Sequence, residues 1–165
     1  MEFWFSVHDI ALLAAEVESK GAEFYGRLTS VTEDKRVTDL CSFFAEQERQ
    51  HESAFRSMAE GHDSTESRPY SVDIRKMLET SLGKLSDFLS DPSPRAGLVD
   101  VFEVLSLAED LETTSIKVYT NMLQAYTETF SHIIGRLLEE EREHLRSIHK
   151  LQHEIRATNG AMDAD

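Results

Sequence analysis

The sequence has 165 residues, enough for one domain with a real hydrophobic core, and 31 acidic against 17 basic residues, a formal charge of −14. That balance excludes a nucleic-acid groove, which needs clustered Lys and Arg; with only 7 Gly and 3 Pro, a many-turned β architecture is excluded too. A single cysteine, Cys41, rules out a disulfide framework or a Cys-x-x-Cys centre, and no apolar run approaches the roughly 20 residues of a membrane span.

At the start, acidic Glu2 and Asp9 stand where a secretory signal carries positive charge, so a cytoplasmic protein with no membrane partner is expected. Ser6 with Asp9 reads as a helix N-cap signal. From there to about Leu28 the apolar positions recur every three or four residues: Ala11, Ala14/Ala15, Gly21/Ala22, Tyr25 and Leu28, interrupted by Glu18. Thr32, Glu33 and Asp34 open a second helix with the stripe Val37, Leu40/Cys41, Phe44, Phe55 and Met58, interrupted by Glu48 and His51, and Gly61 closes it.

GHDSTESRP is a polar loop, and Ser71 to about Leu89 reads as a shorter amphipathic helix. SDPSP breaks it, with Ser93 as N-cap and Pro94 at the first position of the next element. The third long helix carries Val101, Val104/Leu105, Ala108, Tyr119 and Met122, with Glu112 and Ser115 in the same stripe. A fourth is expected from Thr127 or Thr129, with Ile133/Ile134, Leu137/Leu138, Leu145, Ile148 and Leu151 around Glu141 and His144. Asn159-Gly160 is the predicted stop, making residues 1–158 the folded domain and residues 159–165 an acidic tail. The result is an all-α four-helix bundle. Two hairpins are joined by a connection of about 35 residues, whose short helix, at 1.5 Å per residue, returns the chain along the bundle.

The hairpins repeat each other. VESKGAEFY parallels LETTSIKVY, and EQERQH parallels EEEREH, with 30 residues from Glu18 to Glu48 and 29 from Glu112 to Glu141. Each long helix therefore puts a Glu on its buried face, and two helices add a His three residues later, on the same side. Four carboxylates in an apolar core are prohibitive unless balanced, since each buried ion costs several kcal/mol. Two divalent cations supply the four positive charges. Glu from two helices plus Glu-x-x-His from the other two is the ligand pattern of two-metal carboxylate bundles. One Glu-x-x-His is expected by chance in so acidic a chain; two in phase with repeated stripes are not. The expected ligands are Glu18, Glu48, His51, Glu112, Glu141 and His144.

On these residues the sequence resembles the rubrerythrin branch of the ferritin-like superfamily, through ESKGAEFY, AEQERQH, ETTSIKVY and EEEREH. The resemblance covers the four long helices. It implies a ferritin-like bundle with two metal ions, iron first and manganese or zinc as alternatives, bridged by Glu48 and Glu141. It also implies Tyr25 and Tyr119 hydrogen-bonded near the metal carboxylates. The implied activity is a di-iron oxidoreductase that reduces hydrogen peroxide or dioxygen with electrons from an external donor, a rubredoxin-like protein being the candidate. The alternatives are a ferroxidase handling iron, or a metal-binding protein without turnover.

Two departures stand out. Peroxide-reducing rubrerythrins carry an extra Glu three residues after the third-helix Glu, where this chain has Ser115, and a four-cysteine rubredoxin domain, which one cysteine cannot supply. The six-ligand set is also that of bacterioferritin, but nothing after Leu151 resembles the extra helix of ferritin cages. A homodimer is expected. His149 and His153 lie off the stripe and read as surface residues, Cys41 as a small core residue. Glu16, Glu23, Glu46, Glu139, Glu140 and Glu143 are expected to face solvent, with Glu46 or Glu140 able to replace a ligand if a helix is rotated.

Overall fold

The computed structural model describes residues 4–61, 67–69, 72–90, 100–125 and 130–162. Its elements run β1 (Trp4–Ser6), α1 (Val7–Val31), α2 (Lys35–Glu60), β2 (Ser67–Pro69), α3 (Val72–Ser90), α4 (Val101–Ala125) and α5 (Ser131–Met162). The all-α bundle is as expected. The pairing of β1 with β2 is an addition: antiparallel, Trp4 opposite Pro69 and Ser6 opposite Ser67, it fastens the start of the chain to the crossover.

Local chemistry sets the helix ends. Ser6 and Asp9 form a full capping box, each side chain bonded to the other residue's backbone N–H. Thr32 caps the end of α1, and Asp34 starts α2 by accepting from the Arg36 N–H at 2.9 Å. Gly61 closes α2 with its N–H on the Ser57 carbonyl. Asp100 starts α4, its side chain accepting from Phe102 N–H at 2.7 Å. The sequence signals at Ser93, Pro94, Thr127 and Thr129 lie outside the described residues. The predicted stop at Asn159-Gly160 is not observed: α5 runs on to Met162. Asn and Gly cost a helix only about 1 kcal/mol or less, which a helix already propagating through about eight turns absorbs at its frayed end.

Tyr25, Tyr119, Phe44, Phe55, Leu28, Leu105, Met122, Ile134 and Leu137 are fully buried on the facing stripes of the long helices. Crossover helix α3 adds Ile74, Leu78 and Leu85 to that core. Ring packing continues through the middle of the bundle, with Tyr25 edge-on to Phe44 at 5.2 Å and Phe55 against Tyr119 at 5.5 Å. No described helix is long and apolar enough to cross a membrane.

Candidate metal centre

The helical repeat brings the four interrupting acids and both histidines to one place. Glu18, Glu48, Glu112, Glu141, His51 and His144 are all 0–3% exposed. Their ligand atoms fall into two overlapping groups, Glu18–Glu48–His51–Glu141 and Glu48–Glu112–Glu141–His144, with all atoms of a group within 4.8 Å of one another. Glu48 and Glu141 belong to both.

The two shared acids divide their oxygens between the halves. Glu48 turns Oε2 to His51 Nδ1, at 3.2 Å, and Oε1 towards His144 Nδ1, at 4.0 Å. Glu141 turns Oε1 to His51 Nδ1, at 2.8 Å, and Oε2 towards His144 Nδ1, at 3.6 Å. Glu18 faces only His51, at 3.6 Å, and Glu112 only His144, at 3.5 Å. The imidazoles lie nearly parallel, 5.8 Å apart, both with Nδ1 inward. Each half thus presents three carboxylates and one ring nitrogen.

Among the described residues, the buried polar side-chain atoms without a hydrogen-bond partner are His51 Nδ1, His144 Nδ1, Glu112 Oε2, both oxygens of Glu141, and Tyr119 Oη. All but the last point into this cluster. Native cores rarely leave such atoms unsatisfied, because each costs about 1–3 kcal/mol. A convergent set of them, four acids rich, fits two cations and little else.

Metal-free, the charges settle differently. Burial, then the facing charge of Glu48, pushes the Glu18 carboxyl well above the carboxylate range. Burial and the charge of Glu141 lift Glu112 to about 8. On Glu141, burial and Glu48 push upward, but contacts from Glu112, His144 and His51 outweigh them and hold it low. Burial disfavours charge on both imidazoles, yet the carboxylates around them prevail, raising His51 and taking His144 to about 10. Bound protons therefore stand in for the missing positive charge.

The surroundings were only partly foreseen. The Tyr25 hydroxyl donates to Glu112 Oε1, linking α1 to α4. Tyr119 is buried near the same level, but its hydroxyl finds no acceptor. Glu140, expected to face solvent, is a correction. At 38% exposure its Oε2 lies 3.0 Å from His51 Nε2, on the outer side of the ring. A long side chain at the edge of the stripe can turn its carboxylate to a buried ring while remaining partly in water. The signal was present in the repeat, where Glu140 of EEEREH stands opposite Gln47 of EQERQH. Gly21 places no side chain against Glu48; a Cβ there would sit 3.6 Å from Glu48 Cγ, so anything beyond alanine would displace that carboxylate. His149 is exposed and paired with Glu109 at 3.0 Å, and Cys41 is buried and free.

A family model described as Rubrerythrin matches residues 9–152. Comparison with curated proteins and with solved structures finds no match.

Proposed function

The chain belongs to the rubrerythrin family, and from that premise we propose that it is a di-iron oxidoreductase reducing hydrogen peroxide or dioxygen with electrons from an external donor. Glu18, Glu48, His51 and Glu141 would hold one metal, and Glu48, Glu112, Glu141 and His144 the other. The observation that carries this reading is the convergence of unsatisfied, buried Glu and His atoms on two overlapping centres. Iron suits bridging carboxylates with terminal imidazoles, and when bound it supplies electrons to an oxygen species.

The protein's own contribution is positioning. Glu140 lies 3.0 Å from His51 Nε2; with a metal bound it would accept from Nε2–H and leave Nδ1, which faces inward, free to ligate. Tyr25 holds Glu112 from behind, and Phe44 lies 4.3 Å from the His144 ring, excluding water on that side. Half-buried Ser115 supports a second reading. With no carboxylate at that position, the site keeps six protein ligands, which is also a sufficient set for a ferroxidase.

Anaerobic protein loaded with ferrous iron separates the readings. An oxidoreductase consumes peroxide over many turnovers when a rubredoxin-type or chemical donor is present. A ferroxidase turns over ferrous iron without that donor, and a passive binder takes up two metals and stops. We also propose a homodimer, tested by light scattering; a 24-subunit particle would instead favour iron storage.

A further inference from the structure

In so acidic a chain most of the described basic side chains are already paired. Among the described side chains, Lys20, Lys35, Lys150 and most arginines sit in ion pairs. Arg27 and Arg156 lie over the rings of Phe88 and Phe102. Among the described residues, Lys76, Lys84 and Lys117 have neither an acidic nor an aromatic partner. These three are exposed, and they line one feature, the seam between α3 and α4.

The seam contains a hollow of about 360 Å³ with Lys84 and Lys117 on its rim and Phe24, Leu85, Phe88 and Leu111 among its lining. A second hollow of about 240 Å³ shares Lys84 with it and extends the seam to Lys76. Asp110 lies on the same rim, but no ion pair ties it to either lysine. An apolar lining with free cations at its edge is complementary to a ligand that is apolar in body and negative at one end. The volume falls at the small end of small-molecule sites, roughly 300–1,000 Å³, too little for the face of a partner helix.

We propose that the α3–α4 seam is a binding site for a small amphipathic anion, an apolar body bearing one carboxylate or phosphate. The body would occupy the Phe24–Phe88 wall, where the two rings pack at 4.8 Å, and the acid group would meet Lys84 and Lys117. Phe24 also contacts the Tyr25 ring at 5.3 Å, so the occupant lies one aromatic layer behind the Tyr25–Glu112 pair. The site does not depend on the metal reading.

The test uses the full chain, with and without metal, titrated with 1-anilinonaphthalene-8-sulfonate and with its uncharged relative N-phenyl-1-naphthylamine. The expected result is one saturable site for the anionic dye. Lys84→Glu with Lys117→Glu should weaken it at least tenfold, and Lys84→Gln by less. Lys35→Glu, a charge change elsewhere, should leave it unaltered. Decanoate or 1-naphthyl phosphate should displace the dye, and which of the two does so identifies an aliphatic or aromatic body. The proposal is overturned if the neutral dye binds equally well, if the seam variants bind as the wild type does, or if neither competitor displaces the probe. Since binding is read directly, none of these outcomes bears on turnover at the acid cluster.

Discussion

On the His51 side of the acid cluster the imidazole is backed by a carboxylate, Glu140, at 3.0 Å, while Glu18 receives no tyrosine hydroxyl among the described residues. On the His144 side the arrangement is reversed. Glu112 receives the Tyr25 hydroxyl, and the His144 ring is packed against Phe44 at 4.3 Å. Both halves come from one repeated hairpin, and the inward-facing residues have stayed alike. The supporting residues have diverged: Glu140 stands where the first hairpin has Gln47, and Tyr119 has lost the partnership its counterpart keeps. Identical inner groups with different outer partners would make two metals held there inequivalent, since a carboxylate behind an imidazole raises its basicity as a ligand.

The largest effect should come from striking what the halves share. Removing metal should lower stability by at least about 3 kcal/mol when metal exceeds its dissociation constant a hundredfold. Glu48→Gln or Glu141→Gln should impair both positions, with loss of the second metal and of the peroxide reaction. Glu18→Gln or Glu112→Gln should empty only one. Glu48→Gln should leave the metal-free bundle as stable or more so, because one buried charge is gone. Metal analysis with paired melts checks this; unchanged metal content in Glu48→Gln would place that acid outside the site.

Next is pH. Glu112, raised to about 8, and His144, raised to about 10, both bind protons more tightly folded than unfolded. Their contributions are present at low pH and lost as pH rises, through 4.5 to about 8 for Glu112 and 6.5 to about 10 for His144. Glu141, held low, acts oppositely, but only below its ordinary 4.5. Metal-free protein should therefore lose several kcal/mol between pH 6 and 10, about 3 kcal/mol of it from Glu112 and about 4 kcal/mol from His144. The holo form should change little, since metal displaces those protons. Denaturant melts across that range decide it, and a flat metal-free profile would refute it.

The tyrosines offer a smaller and sharper contrast. Tyr25→Phe leaves Glu112 without its donor and should cost about 1–3 kcal/mol in the metal-free protein. Tyr119→Phe removes a hydroxyl that has no partner and should be neutral within about 0.5 kcal/mol, or stabilising. Equal losses in the two melts would show that Tyr119 has an acceptor after all.

Smallest should be the outer carboxylate. Glu140→Gln should weaken one metal by roughly tenfold and spare the other. Gln47→Glu, at the matching repeat position, should strengthen the His144 side if register alone sets the contact. Stepwise metal titration by calorimetry would show either change.

The bundle and its six inner Glu and His residues were legible in the sequence because helix periodicity is local. A Glu at the centre of an apolar stripe must be buried once the stripe is, and spacing of three fixes which His joins it. The shared roles of Glu48 and Glu141 and the contacts behind the ligands depend on distances between residues 64 to 96 apart in the chain, which periodicity does not encode. Thus Tyr25 met Glu112, 87 residues away, and Glu140 met His51, 89 residues away, while the hydroxyl of Tyr119, in an equivalent local sequence, met no acceptor among the described residues. The β1–β2 pairing was invisible for the same reason: three residues on each side carry no periodic signal. Sequence by itself determined which side chains must be buried together. Only the packing of α1, α2, α4 and α5 decided which atoms of those side chains face one another, because that is set by interhelical rotation and depth, to which a one-dimensional pattern is blind.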